Sequence, residues 1–189
     1  MQIETQRQIV HMAFGALPFL LVNAPMSVIW FVLSLLLLIT TFVVPRLALS
    51  RFVLRPKDIQ RGIAWGGITY FGSLLLLSII APWHIVALAW VILAFGDGAA
   101  TFIGLSVGGR RLPWNQNKTW AGFVSFFLAS AVGAGSLLVA LGFVFPTLPL
   151  IIVIVLLAAL GAGVESSTLP IDDNISIPVI TVIFASLLL

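Results

Sequence analysis

Two long stretches of this chain carry no charged side chain, and they constrain its fold more than any other feature. No Asp, Glu, Lys or Arg occurs between Gly62 and Gly96, or between Thr119 and Val164. About 20 apolar residues are enough to cross a bilayer as a helix. Only 8% of the residues are charged, against about 25% in soluble domains. The sequence therefore predicts an all-α, polytopic integral membrane protein.

Hydropathy predicts about seven transmembrane helices in a single membrane-embedded domain, residues 1–189. The predicted spans are 9–23, 26–44, 63–81, 84–108, 119–142, 147–164 and 175–189. Proline and turn-forming residues separate several of them, which favours helical hairpins. The first span has no small-residue cleavage site, so we expect it to be retained.

The loop at 45–61 predicts the orientation, because it carries five basic residues and one acid. Basic residues concentrate in cytoplasmic loops. Alternating spans then place the N-terminus, the loop at 109–118 and the segment at 165–174 on the cytoplasmic face of the cell membrane, and the C-terminus outside. Topology thus explains the net charge of +3, and nucleic acid is not an expected partner. The chain has no cysteine, which excludes disulfides and thiolate chemistry.

A polar segment from Gly96 to Gly122 separates the two uncharged stretches, and ionisable residues in such a setting are functional by default. Small residues recur within it at every fourth position. They are Gly96, Ala100, Gly104 and Gly108. This spacing is typical of close helix packing, and it also leaves bare backbone that an anion can approach. The residues alone leave both interpretations open.

Acidic and polar groups near this segment suit a divalent cation and a polyphosphate. Asp97 and Thr101 share a helix face, and Mg²⁺ prefers one or two carboxylates with phosphate oxygens and water. The loop that follows is not a P-loop, because Asn117 stands where glycine is required. It nevertheless combines basic and amide side chains, and Thr119 is a plausible N-cap for the next helix. The candidate phosphate ligands are Arg110, Arg111, Asn115, Gln116, Asn117 and Lys118.

Two further clusters fall on the same predicted face. One lies near the C-terminus, where adjacent carboxylates repel unless a cation stands between them; its members are Glu165, Asp172, Asp173 and Asn174. The other is His11, four residues after Arg7 in the first span. A lone histidine is as consistent with a structural role as with a catalytic one.

Motifs in three parts of the chain resemble the signature of the phytol kinase and dolichol kinase family. The central match is Asp97-Gly98-Ala99-Ala100, Gly104, Gly108, Leu112-Pro113-Trp114-Asn115 and Lys118-Thr119-Trp120-Ala121-Gly122. The outer matches are Glu4, Arg7 and His11, and then Glu165-Ser166, Asp172-Asp173-Asn174 and Pro178. Three motifs in the family's order are much more specific than one. Gln8 departs from the pattern, since many relatives have lysine there.

The resemblance implies an enzyme that uses CTP and a divalent cation to phosphorylate a membrane isoprenoid alcohol, such as phytol, geranylgeraniol, dolichol or another polyprenol. We expect Lys118, with Arg110 or Arg111, to bind the CTP phosphates, and Asp97 and Asp173 to hold Mg²⁺. Asp172 or Glu165 is the expected base. The remaining expected nucleotide ligands are Gly98, Gly104, Gly108, Asn115, Asn117 and Thr119, with Arg7, His11 and Asn174 as further site residues.

Two other functions remain open from the sequence. Phosphatidate cytidylyltransferases share a related glycine and Lys-Thr pattern, but they also carry a basic C-terminal signature. No Lys or Arg follows Lys118 in this chain. A small transporter is the non-enzymatic alternative, because intramembrane acids also mark ion pathways. The oligomeric state cannot be read from the sequence.

Overall fold

The structure, a computed structural model, describes residues 2–47, 50, 54, 56–143 and 147–189. Arg51 and Arg55 of the basic loop lie outside the described residues, as do the side chains of Glu4 and Lys57. Over the described residues the chain forms helices and no strand. The helices are α1 Gln2–Phe14, α2 Leu17–Leu20, α3 Met26–Leu38, α4 Pro56–Arg61, α5 Trp65–Ile80, α6 Trp83–Val107, α7 Trp120–Ala140, α8 Leu148–Glu165 and α9 Asp173–Leu188.

Within the described ranges, four helical segments are long and apolar enough to cross a membrane, which confirms the helical membrane class. They are Met26–Arg46, Trp83–Val107, Trp120–Ala140 and Leu148–Glu165. The first of these is α3 continued through a π-helical turn at Ile39–Val43 and a 3-10 turn at Val44–Arg46. Apolar helices α5 and α9 have 16 residues each, and a helix of that length spans only about 24 Å. The count of seven spans and the N-terminal orientation stay predictions.

The predicted first span, 9–23, is not one continuous helix in the structure. Helix α1 begins earlier than predicted and ends at Phe14, and α2 is a single turn. Gly15 explains the break, because it lies between the two helices and a Cβ there would approach Ala94 of α6 to 2.7 Å. The chain bends around α6 at this point.

Helix α6 is the central element of the bundle. Of its most apolar 18-residue stretch, 72% is buried inside the protein, compared with 17% for the segment Met26–Arg46. It contacts α1, α7, α8 and α9. Its small-residue face packs against α7, where a Cβ at Gly96 would overlap Phe126 and Ser130. The close packing predicted from the four-residue spacing is therefore present here.

Candidate active site

The loop between α6 and α7 is a closed turn with its own hydrogen bonds. Gly108 ends α6 with a φ of 64°, a conformation that glycine adopts without strain. Arg111 and Thr119 then pair in a short antiparallel bridge, and the Leu112 amide donates to the Lys118 carbonyl at 3.0 Å. Thr119 Oγ1 accepts from the Gly122 amide at 3.1 Å, so its predicted role as N-cap of α7 is confirmed.

The amide side chain of Asn115 fastens this loop to the end of α8. Its Nδ2 donates to the carbonyls of Ser166 and Ser167, at 3.1 and 3.0 Å. Its Oδ1 accepts from the Asn117 amide at 3.1 Å, and the side chain is buried. Asn115 therefore positions the loop, and both of its donors are already engaged within the protein.

This attachment brings Lys118 into a cluster with two carboxylates, which we call the lysine cluster: Lys118, Glu165 and Asp173. Lys118 Nζ lies 2.5 Å from Glu165 Oε1 and 3.8 Å from Asp173 Oδ2. Burial disfavours the ammonium charge, but the two carboxylates outweigh that effect and raise the pKa of Lys118. The lysine is thus firmly charged, as a phosphate-binding residue needs to be.

Asp173 lies at the start of α9, before the apolar stretch that begins at Ile175. Burial raises the pKa of this carboxyl above its ordinary value even though Lys118 opposes the shift. Burial and the neighbouring carboxylates Asp97, Glu165 and Asp172 together disfavour its charged form.

The start of α9 is held in place by short-range and long-range hydrogen bonds. Asp172 caps the helix, because its Oδ1 accepts from the Asn174 amide at 3.0 Å. Asn174 Nδ2 donates to Thr69 Oγ1 of α5 at 3.2 Å, and Ser73 Oγ donates to the Asn174 carbonyl at 2.7 Å. Asn174 therefore connects α9 to α5 and fixes the position of the carboxylates next to it.

Asp97 and His11 face each other from α6 and α1, with 3.8 Å between Asp97 Oδ2 and His11 Nε2. The His11 ring packs edge-on against Tyr70, with 4.5 Å between centroids. Tyr70 in turn accepts a hydrogen bond from Trp90 Nε1 at 2.8 Å. The N-terminal motif and the central motif thus meet at one point, although more than 80 residues separate them in the sequence.

A cavity of about 700 Å³ joins the three motifs. Eight predicted site residues line it: Arg7, His11, Asp97, Lys118, Glu165, Asp172, Asp173 and Asn174. A smaller cavity of about 190 Å³ shares Thr101, Lys118 and Glu165 with it. Its lining adds further predicted nucleotide ligands, namely Gly104, Arg111, Asn117 and Thr119.

Five predicted site residues line neither cavity. Gly98 faces α1, where an added Cβ would overlap Met12, and Asn115 holds the loop to the end of α8. Gly108 forms the bend at the end of α6, and the carbonyl of Arg110 accepts from the Trp120 amide at 3.0 Å. Gln116 Nε2 donates to the Leu112 carbonyl at 3.0 Å. These contacts are structural, and ligand binding by the five residues stays a prediction.

Asp58 also lines the large cavity, although its place in the sequence indicates only a basic loop. It lies on α4 with 4% of its surface exposed, and its Oδ1 has no hydrogen-bond partner among the residues that the structure describes. A buried carboxylate oxygen in this state is costly unless a ligand supplies a donor. The sequence shows Asp58 only as a single acid among five basic residues, a pattern that indicates membrane topology and no binding site.

A magnesium site built wholly from protein ligands is not found in the part of the chain that the structure describes. Among those residues no group of three or more His or acidic side chains is placed to hold a metal. Asp97 and Asp173 both line the large cavity, and two carboxylates are the set that Mg²⁺ uses when phosphates complete its coordination. The residues therefore fit an ion that arrives with a nucleotide.

Fold and site together define a helical membrane protein with a cavity lined by charged side chains, and several known proteins are similar to it in sequence. A probable chloroplastic phytol kinase 1 of Oryza sativa is 32% identical over 141 residues, 71% of this chain and 44% of the relative. Phytol kinase 1 of Arabidopsis thaliana is 31% identical over 131 residues, 64% of this chain and 43% of its own length. The chain belongs to the phytol kinase and polyprenol kinase family.

The chain spans less than half the length of these plant relatives. An uncharacterised protein of Rickettsia prowazekii, RP860, is 27% identical over 187 residues, which is 93% of this chain and 89% of that protein. No family model matches the chain, and no solved structure matches it.

Proposed function

We propose that this protein is a kinase that phosphorylates the hydroxyl of a membrane isoprenoid alcohol. The observation that carries the proposal is the mixed lining of the large cavity. Charged side chains of the lysine cluster and Asp97 line it. Apolar side chains line it as well: Val10, Phe14, Val44, Leu54, Phe71, Leu169 and Ile171. An amphiphile with a reactive head and a hydrocarbon tail matches such a lining.

The proposed donor is CTP with Mg²⁺, as the family resemblance implies. The smaller cavity shares Thr101, Lys118 and Glu165 with the large one, so phosphates bound there would lie next to the proposed acceptor. Arg111, Asn117 and Thr119 line that cavity and supply charge and hydrogen bonds for phosphate oxygens. Asp97 and Asp173 would hold the Mg²⁺, which neutralises charge on the phosphate oxygens when bound.

The chemistry is an in-line displacement. The alcohol oxygen attacks the γ-phosphorus, the bond from that phosphorus to the β–γ bridging oxygen breaks, and CDP leaves. The hydroxyl proton passes to a carboxylate of the cavity. Both Glu165 and Asp172 line the cavity. Glu165 already holds Lys118 and is 3% exposed, so Asp172 is the acceptor that we favour. Lys118 stays charged and stabilises the transferring phosphoryl group.

The test is product formation by the purified protein with a panel of alcohols and nucleotides. Phytol, geranylgeraniol and dolichol are each offered with CTP, UTP, ATP or GTP in the presence of Mg²⁺. The proposal expects a lipid monophosphate and CDP in the CTP reactions. Pyrophosphate and a CDP-lipid would instead identify a cytidylyltransferase. If no nucleotide raises the thermal midpoint of the protein, the result would favour a transporter.

A further inference from the structure

The wall of the large cavity has a gap at the start of α5. Gly66 lines the cavity and is exposed, and a Cβ added there would meet no atom of the described residues within 4 Å. The next residue differs, since a Cβ at Gly67 would lie 2.7 Å from Thr40 Oγ1. The helices are thus in contact at Gly67 and open at Gly66.

The opposite rim of this gap is the irregular end of α3. The backbone widens there into the π-helical turn Ile39–Val43, and such turns are frequent at functional sites. The Thr40 hydroxyl donates a hydrogen bond to the Leu36 carbonyl at 2.6 Å. Thr40 and Val44 both line the cavity. The opening therefore lies between the end of α3 and the start of α5.

Outside the gap, the surface is apolar. Exposed side chains flank it on both sides: Phe42 at 46% and Val43 at 47% at the end of α3, and Ile63 at 40% and Trp65 at 57% just before and at the start of α5. The α3 side belongs to a segment long and apolar enough to cross a membrane. A tryptophan at the helix start is typical of the membrane interface. Such a surface suits contact with lipid.

We infer that the isoprenoid tail of the acceptor leaves the cavity past Gly66, between α3 and α5, and continues into the bilayer. This inference rests on the proposed function. A cavity of about 700 Å³ has the size of a site for a drug-sized ligand. It holds the alcohol head and the first isoprene units, and a longer chain needs an exit. A lateral opening also lets the enzyme take its substrate directly from the membrane.

The test compares Gly66→Phe with Gly72→Phe. Both glycines lie on α5 and both have open space at the Cβ position, but Gly72 lines neither cavity. In Gly66→Phe the ring obstructs the exit, so we expect the KM for phytol and longer alcohols to rise about tenfold, the effect of losing a few buried methylenes. We expect turnover of 3-methyl-2-butenol, which has one isoprene unit, to change by less than about twofold. Gly72→Phe should behave like the parent protein.

Equal behaviour of the two variants toward long alcohols would overturn the inference, and so would an equal loss on short and long alcohols. A second measurement does not depend on either variant folding. A long alcohol with a diazirine on the isoprene unit that crosses the gap should label peptides from the end of α3 or the start of α5 in the parent protein. Labelling confined to other helices would contradict the exit path. Failure of the parent protein to phosphorylate any alcohol would refute the proposed function itself.

Discussion

Lys118 neutralises an almost fully buried carboxylate, which makes it a structural residue as well as a candidate phosphate ligand. Its Nζ lies 2.5 Å from Glu165 Oε1, so an incoming phosphate competes with Glu165 for the same charge. From the sequence alone, Lys118 is a loop residue whose replacement would leave the stability of the fold unchanged. The structure adds that Glu165 would lose its partner, and a mutational test has to account for this.

We predict that Lys118→Ala lowers turnover at saturating CTP by about 10²- to 10³-fold, the usual effect of losing one electrostatic contact in the transition state. It should also lower the thermal midpoint, because removing one partner of a buried pair costs roughly 3–5 kcal/mol. The control is Lys118→Met combined with Glu165→Gln, which removes both charges. This double variant should recover the parent's midpoint and remain nearly inactive. Near-full activity of Lys118→Ala would remove the lysine from the reaction.

We predict that Asp172→Asn lowers kcat by about 10²-fold or more, as expected for a general base. Asparagine is as good an N-cap as aspartate, so the start of α9 should keep its hydrogen bond to the residue 174 amide and the protein its stability. Glu165→Gln provides the comparison and should retain more activity. A Glu165→Gln variant less active than a folded Asp172→Asn variant would reverse the assignment.

At the scale of helices, packing of glycine against bulky side chains fixes the distances on which the site depends. Gly96 accommodates the Phe126 ring of α7, to which an added Cβ would approach within 2.7 Å. Because interiors are packed as densely as crystals, α6 and α7 cannot absorb a methyl group there without moving apart. The loop that carries Lys118 connects these two helices.

We therefore predict that Gly96→Ala destabilises the protein by about 1–3 kcal/mol, the usual range for overpacking. Gly163→Ala on α8 is the matched control, since no atom lies within 4 Å of its added Cβ. In that open position alanine should be neutral or stabilising by up to about 1 kcal/mol, from its higher helix propensity. Thermal unfolding in one detergent compares the two. Equal midpoints would show that α6 and α7 tolerate a wider separation.

Long helices and chemically distinctive motifs were predictable because their signals are local. Uninterrupted hydropathy identified α6, α7 and α8, and Thr119 had the residue type and place of an N-cap. The break in the first span was not predictable, because it depends on contact between Gly15 and α6. The hydrogen bonds from Asn115 to Ser166 and Ser167 and the burial of Asp58 likewise depend on residues distant in sequence. Each of these is a tertiary contact, which no local pattern encodes.

At the scale of the whole molecule, the three motifs meet at the large cavity, which His11, Asp97, Glu165 and Asp173 line from α1, α6, α8 and α9. We propose that the lysine cluster lies within reach of a water-soluble nucleotide. The proposed topology has seven spans, with the N-terminus and the site on the cytoplasmic side. Among the described residues, helix length and composition support four spans.

The absence of cysteine from the sequence allows a clean test of this topology. Single variants Gln60→Cys and Thr147→Cys place a thiol at exposed positions before α5 and before α8. We predict that a membrane-impermeant maleimide labels Thr147→Cys in intact cells and Gln60→Cys only in inverted vesicles. Labelling of both positions from the same side would contradict the alternating topology.

The central claim is transfer of the terminal phosphoryl group to a lipid hydroxyl, and tracing a labelled phosphate tests it most directly. Purified protein receives phytol, Mg²⁺ and CTP labelled at either the γ- or the α-phosphate. The proposed displacement at the γ-phosphorus predicts lipid-soluble label only from γ-labelled CTP, recovered as a lipid monophosphate, with α-label remaining in CDP. Lipid-soluble label from α-labelled CTP, or from neither, would contradict the account.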